Sequence, residues 1–514
     1  MFIHSLTIEN FRNFGKSEIF FNEGTNVIIG PNNAGKTNVF KALGLIFDPN
    51  SNRKLDVDDF YKGIDTKEYF GFNKTTGKLI KQSPPNIIIS ATIVESTGEN
   101  KDKELLHDDK NTVYDWLVQM EPFYQAKLTY KFFLPDDENC KKYEDAVLDL
   151  IKKGKTSADD YWRMVKRKFI RKFVVRIYGG FAEQEKRADT DSLNRFDFQF
   201  LNALRDAERH LFTGQNTLLK EVLNYFLDDD LKNSQNLNEE EKLQKIDERN
   251  EDFSDRAVAF INLVKERINE EPILKYSRDV GASLGGEPTF QGETTEVELF
   301  SALKLIVQNH LLGINLPATH NGLGYSNLIF ISILLAKMQM SASNYGNEDE
   351  KKVFPMLLIE EPEAHLHPAM QFKLLKFLKE KVKENTQVRQ VFVTTHSTQI
   401  TSAVDLDEII CLNQAEKGKV KIAYPGKVFR SDCEEDQKSK AYVKRFLDAT
   451  NSDMLFAKSV IFVEGITEQL LFSLLAEYKN ISLARLYPSC CITKHLGELL
   501  QHDAARFSSV GAEP

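Results

Sequence analysis

Thr25-Asn26-Val27-Ile28-Ile29-Gly30-Pro31-Asn32-Asn33-Ala34-Gly35-Lys36-Thr37 is a short apolar, β-branched run that breaks at a glycine, crosses a loop of small residues and closes on a lysine and a threonine. The stretch that follows, 37–47, carries Val39, Ala42, Leu43 and Ile46 at helical spacing. The order is strand, glycine-rich loop, helix, and it places the chain among α/β proteins.

A loop of the form Gly-x-x-x-x-Gly-Lys-Thr turns its backbone N–H groups inward, where they cradle phosphates. Gly30 and Gly35 permit the tight turn, and Asn32, Asn33 and Ala34 supply the backbone between them. Lys36 is placed to reach the β and γ phosphates of a nucleotide. Thr37 offers a hydroxyl to Mg²⁺ and opens a helix whose N-terminal dipole favours an anion. ATP with Mg²⁺ is the expected ligand.

Further along, Met356-Leu357-Leu358-Ile359-Glu360-Glu361-Pro362 reads as an apolar strand ending in two carboxylates. A phosphate-loop ATPase needs one carboxylate to hold the Mg²⁺ shell and a base to orient the attacking water. Glu360 suits the first role and Glu361 the second. Val391-Phe392-Val393-Thr394-Thr395-His396-Ser397 is another apolar strand with a polar end, and His396 there is placed to sense a γ-phosphate. His365 and His367 do not share a helix face and lack a third ligand at suitable spacing, so a loop at a subunit interface is expected rather than a metal site.

Around these motifs the periodicity predicts strands at 2–8, 18–22, 85–95 and 124–134, the last two implying a mixed sheet near the nucleotide. Helices are predicted at 299–312, 326–338, 368–384 and 467–478, and strands at 353–359, 390–394, 407–412, 419–424 and 460–463. Strand–helix alternation from 353 onward implies a parallel sheet. The segment 206–271 is almost free of glycine and proline and holds a dense charged stretch at 231–256. It reads as a helical insertion with a solvated or disordered tip, a dimerisation arm or a plain helical subdomain.

Composition narrows the class. The chain has 514 residues, is 41% apolar and 28% charged, and carries a net charge of −9. That length accommodates two to four domains. The acidic balance excludes a uniformly nucleic-acid-binding surface but leaves room for a local basic stripe. Arg163-Met164-Val165-Lys166-Arg167-Lys168-Phe169-Ile170-Arg171-Lys172 is such a run; it suits DNA phosphates or simply a solvated face. Five cysteines without a Cys-x-x-Cys pair argue against a disulfide framework or zinc site. With neither a signal-like N-terminus nor an apolar run long enough to span a bilayer, a soluble cytoplasmic protein without membrane partners is expected.

Taken in order, these motifs resemble the ABC-type ATPase heads of the structural-maintenance-of-chromosomes and OLD (overcoming lysogenization defect) group. Ile8-Glu9-Asn10-Phe11-Arg12-Asn13-Phe14 resembles the group's opening strand, whose arginine approaches the nucleotide. Gly322-Leu323-Gly324-Tyr325-Ser326-Asn327 resembles its signature loop, and 358–368 its acidic motif and the loop beyond. Thr395-His396-Ser397 resembles the switch. The resemblance covers roughly residues 1–480 and implies a homodimer or higher homo-oligomer that sandwiches ATP. Gly322, Gly324 and Ser326 would complete the site of a second copy, and Arg12 would contact nucleotide.

OLD-type proteins carry a Toprim nuclease module after the ATPase, and Val460-Ile461-Phe462-Val463-Glu464-Gly465 with the helix after it resembles its first motif. The resemblance makes Glu464 a metal ligand or general acid/base in phosphodiester cleavage. Asp503 is the single aspartate beyond it, so the Asp-x-Asp pair of that module is missing here. The tail from 484 shows no clear periodicity, and an incomplete Toprim module is expected. The implied layout is an ATPase N-terminal lobe at 1–205, a helical insertion at 206–272, an ATPase C-terminal lobe at 273–452 and a partial Toprim α/β module at 453–514. The resemblance implies a dimeric ATPase that regulates a Toprim-type DNA endonuclease in antiphage defence. The rival is an ATPase sensor or scaffold that works with a partner effector protein; the missing aspartate pair favours the rival, and Glu464-Gly465 the former. ABC-type transport does not suit a chain without membrane segments.

Overall fold

The structure, a computed structural model, describes residues 1–65, 68–71, 83–96, 103–202, 218–232, 237–267, 300, 305–309, 313–317, 322–342, 352–364, 366–384, 388–414, 419–447, 451–457, 459–463, 466–478 and 490–494. The chain forms two compact units, Met1–Arg205 with Ser341–Pro514, and Asp206–Met340.

The first unit is built on two sheets. Strands β1 (Phe2–Phe11), β2 (Phe14–Phe20), β4 (Ile87–Val94), β5 (Leu117–Gln119), β6 (Gln125–Phe133) and β7 (Val174–Gly179) form an antiparallel sheet ordered β2-β1-β4-β6, with β5 and β7 both pairing β6. The strands expected at 85–95 and 124–134 are thus present, but their sheet is antiparallel throughout rather than mixed. Tight reversals such as Phe11 to Phe14 connect neighbours, and antiparallel pairs need no crossover.

The second sheet carries the phosphate loop. Its strands are β3 (Gly24–Ile29), β8 (Phe196–Leu201), β11 (Phe354–Glu360), β12 (Gln390–Thr395), β13 (Ile409–Gln414) and β14 (Val420–Ala423), in the order β14-β13-β3-β12-β11-β8. All pairs are parallel except the β13–β14 edge. β3 and β12 are buried along their whole length, as strands covered on both faces must be. Complete burial of Val27, Ile28 and Ile29 stabilises the fold by about 1.5–3 kcal/mol each.

The helix Lys36–Phe47 follows β3. Val39, Ala42, Leu43 and Ile46 are buried as their spacing predicts, but so are Phe40, Leu45 and Phe47. The helix touches β4 and β6 of one sheet and β8 of the other, so it has two apolar neighbours rather than one. The basic run at 163–172 lies on the helix Ala158–Lys168 and the turn Ile170–Lys172. Tyr161, Trp162, Met164 and Val165 face the core, while Arg163, Lys166, Arg167 and Lys168 face solvent.

Toward the C-terminus, β15 (Ser459–Val463), the helix Ile466–Tyr478 and β16 (Cys490–Lys494) form a parallel β-α-β unit. The tail read as lacking periodicity therefore contributes a strand, from the run Cys490-Cys491-Ile492-Thr493-Lys494, too short to declare a period.

In the second unit, helices Leu218–Tyr225, Asp229–Lys232 and Glu239–Arg267 are described. The charged stretch expected to be solvated or disordered is helical from Glu239 onward. Arg249 pairs with Asp228 and Asp230, folding that helix back on the short one before it. The helix expected over 299–312 is not what forms in its described part. Ile306–Asn309 (β9) pairs antiparallel with Ile314–Pro317 (β10). Gly313, at φ 64, sits just before β10, in a left-handed conformation that glycine adopts without strain. A 20-residue helix, Leu323–Ala342, follows, and no described helix is long and apolar enough to cross a membrane.

Candidate nucleotide site

Parallel pairing sets the site. In register, Ile29 of β3 meets Thr395 of β12, and Thr394 of β12 meets Glu360 of β11. The carboxyl ends of three adjacent strands are therefore level, and Gly30, Glu361 and His396 each lie one residue beyond them. Open parallel sheets bind ligands at this edge. A cleft of about 730 Å³ opens there, lined among others by Arg12, Asn33, Lys36, Thr37, Glu361 and His396.

The loop from Gly30 to Gly35 is held in a conformation that few residues tolerate. Gly30 has φ 153, and a Cβ on it would lie 2.1 Å from the Leu412 carbonyl oxygen. Gly35 has φ 108 and caps the helix, while Asn33 has φ 64. Side chains from elsewhere brace the loop. Asn13 Nδ2 donates to the Ala34 carbonyl at 2.9 Å, Asn38 Nδ2 donates to Asn13 Oδ1 at 2.8 Å, and Gln414 Nε2 donates to the Asn33 carbonyl at 3.1 Å.

Lys36 lies inside this cradle. Its ammonium donates to the Gly30 carbonyl at 2.8 Å and the Pro31 carbonyl at 3.2 Å, and meets His396 Nε2 at 2.7 Å. Burial pushes its pKa down to about 8, against the opposing pull of Glu361, Glu363 and Glu360. Burial and the Lys36 charge likewise lower His396, while Glu361 at 3.6 Å raises it. With Lys36 as the donor, Nε2 must be the acceptor and the imidazole proton sits on Nδ1.

The Thr37 hydroxyl donates to Glu360 Oε1. The Thr37 hydroxyl, which lines the cleft, and the Glu360 carboxylate come together from separate elements, a hard-oxygen donor set that fits a divalent metal ion. Glu361 is in the left-handed region at φ 45, and its N–H donates to the Thr394 carbonyl at 2.9 Å. Strained backbone of this kind is costly and collects at functional sites. Arg12, at φ 50, shares that feature. Its guanidinium bonds Asp59 Oδ1 through Nε at 2.9 Å and Nη2 at 2.8 Å, and Asn38 Oδ1 through Nη1 at 3.0 Å.

The structure thus brings together Arg12, the phosphate loop, Glu360, Glu361 and His396. Gly322, Gly324 and Ser326 belong to the second unit, where Gly322 offers its carbonyl to the N–H groups of Tyr325 and Ser326 at the start of the helix Leu323–Ala342. Glu464 and His365 lie outside the described residues. His367 Nδ1 accepts from the Ala369 N–H at 3.3 Å, a bond that caps the helix Pro368–Glu384. Among the described residues no group of His, Cys, Asp and Glu side chains is arranged to hold a metal by itself.

Several participants were given no role by their motifs. Asn13 lies in the opening-strand motif, Asn38, Asp59 and Gln414 lie outside every motif, and the four meet only in the fold. Glu363 lies within the acidic motif, and its side chain bonds the His396 N–H.

Residues 1–401 match the family model described as an AAA ATPase domain. The chain belongs to that family. Residues 455–495 match the model described as the TOPRIM domain of overcoming-lysogenization-defect-like proteins. Endonuclease GajA of Bacillus cereus strain HuB5-5 is 23% identical, in a match covering 93% of this chain and 71% of that protein. Endonuclease GajA of Bacillus cereus strain VD045 is 24% identical, covering 91% of this chain and 66% of that protein. These matches bear out the resemblance to OLD-type ATPases with a Toprim-like segment. Among solved structures, an Smc head domain with an extended coiled coil from Pyrococcus furiosus matches with a TM-score of 0.38 and 12% identity, over 82% of this chain and 95% of that one.

Proposed function

We propose that the cleft binds and hydrolyses ATP, and that this ATPase works as a homodimer in the cytoplasm to regulate a Toprim-type DNA endonuclease in antiphage defence. The observation that carries the ATP reading is the convergence of Lys36, Thr37, Glu360, Glu361 and His396 at one strand-end cleft. The backbone of 30–35 and the Lys36 ammonium hold the β and γ phosphates. Thr37 and Glu360 would hold Mg²⁺, which supplies charge neutralisation for the phosphates. Glu361 orients the attacking water and takes its proton, and His396 senses the γ-phosphate. Arg12 reaches the nucleotide from the turn after β1.

The nuclease part rests on the Toprim match at 455–495 and on the naming of the relatives as endonucleases, and the defence part on the resemblance to the overcoming-lysogenization-defect group. Glu464 is assigned there as a metal ligand or general acid/base. DNA contact is assigned to the exposed basic face of the helix Ala158–Lys168. Gly322, Gly324 and Ser326 of a second copy close the ATP site, at a helix start suited to an anion.

The test is binding of a labelled ATP analogue. We expect wild-type protein to bind it in the micromolar range or tighter, at about −8 kcal/mol, and Lys36→Ala to lose binding while remaining folded. Unchanged affinity in Lys36→Ala would refute the assignment.

A further inference from the structure

The side chain of Glu363 bridges the two segments that carry Glu361 and His396. Its Oε1 accepts from the His396 N–H at 2.7 Å and from the Thr395 hydroxyl at 2.8 Å. Thr395 Oγ1 in turn accepts the Ser397 N–H at 2.9 Å. Ser397 Oγ donates to Gln371 Oε1 at 2.6 Å, and Gln371 Nε2 donates to the Leu366 carbonyl at 2.9 Å. This chain of bonds runs from the loop after β11 to the loop after β12 and back to the helix Pro368–Glu384.

The choice of a carboxyl group at the head of this network is unusual. Its second oxygen, Oε2, is shut off from solvent and has no hydrogen-bond partner among the described residues. Burial pushes its pKa up. An unpaired polar oxygen in such a place costs stability, and buried polar atoms are satisfied in the large majority of cases. A purely structural tie between two loops does not need that cost.

We infer that Glu363 is a positioning residue for turnover: by holding the Thr395–His396 backbone it fixes the imidazole against Lys36 and within 3.6 Å of Glu361. This rests on the ATPase reading above. Glu363 does not line the cleft, so its hydrogen bonds act on the site through the His396 backbone. Its loss should affect the chemical step and not nucleotide capture, which depends on the phosphate loop.

The experiment compares wild type, Glu363→Ala and Glu363→Gln in steady-state ATP hydrolysis and in binding of the labelled ATP analogue. Glutamine keeps the acceptor oxygen and the shape. We expect Glu363→Ala to lower kcat by at least about tenfold with KM and ATP affinity within about twofold of wild type. We expect Glu363→Gln to recover kcat to within about threefold of wild type. A Glu363→Ala protein with wild-type kcat overturns the inference, and so does a parallel loss of kcat and affinity that glutamine does not rescue. Wild-type protein that binds no ATP overturns the ATPase reading itself, a separate result from either.

Discussion

Lys36 holds a positive charge in a place that disfavours it. Burial lowers its pKa to about 8, while Glu361, Glu363 and Glu360 pull the other way. Phosphates favour the ammonium form, so binding must raise that pKa. Below pH 8 the ammonium is already present and affinity is flat. Above it, binding takes up a proton, and affinity falls by at most about tenfold per pH unit. We expect the labelled ATP analogue to bind distinctly more weakly at pH 9.5 than at pH 7; equal affinities would contradict this. The stability linkage has its own sign. Between pH 8 and the ordinary lysine value of 10.5 the unfolded chain holds more protons at this position. The group's contribution to stability therefore rises with pH across that window. At this scale the motif residues were legible because phosphate chemistry restricts their types and spacing. Asn13, Asn38, Asp59 and Gln414 were not, because each is an ordinary polar residue locally and becomes a brace only when distant segments meet.

At the scale of elements, the site depends on where strands stop. β3, β12 and β11 end level, so three short polar segments face one cleft. Gly30 marks the stop of β3, and its missing Cβ leaves room for the Leu412 carbonyl of the neighbouring strand. Gly30→Ala must either push β13 away or shift the loop. We expect it to destabilise the protein by about 1–3 kcal/mol in urea unfolding and to weaken ATP binding; a variant with wild-type midpoint and affinity would contradict the loop geometry. The buried strands at 353–359 and 390–394 were readable because parallel strands covered on both faces are continuous apolar runs. β8 escaped, although Phe196, Phe198 and Phe200 alternate, because Asp197 and Gln199 interrupt the run and its partner β11 lies far along the chain. Within the helix expected at 299–312, Ile306–Asn309 forms a strand instead, because a short apolar stretch fits both periods. The hairpin signal, Gly313, lies just beyond it.

Over the whole molecule, the family match spans the loop, the acidic pair and the switch, and its range also takes in the whole of the second unit. The α/β class and the Toprim-like segment were legible from motif order. The antiparallel sheet was not, since its strands pair by register rather than by motif. The proposed dimer makes each cleft depend on the signature loop of another copy. A variant that binds ATP without hydrolysing it should then accumulate in the closed form. The most direct measurement is phosphate release by Glu361→Gln in saturating Mg²⁺ and ATP, with molar mass read by light scattering on the same sample. The account predicts that wild type turns over, that Glu361→Gln releases phosphate at least about a hundredfold more slowly while still binding ATP, and that its mass doubles. Phosphate release by Glu361→Gln at the wild-type rate would contradict it.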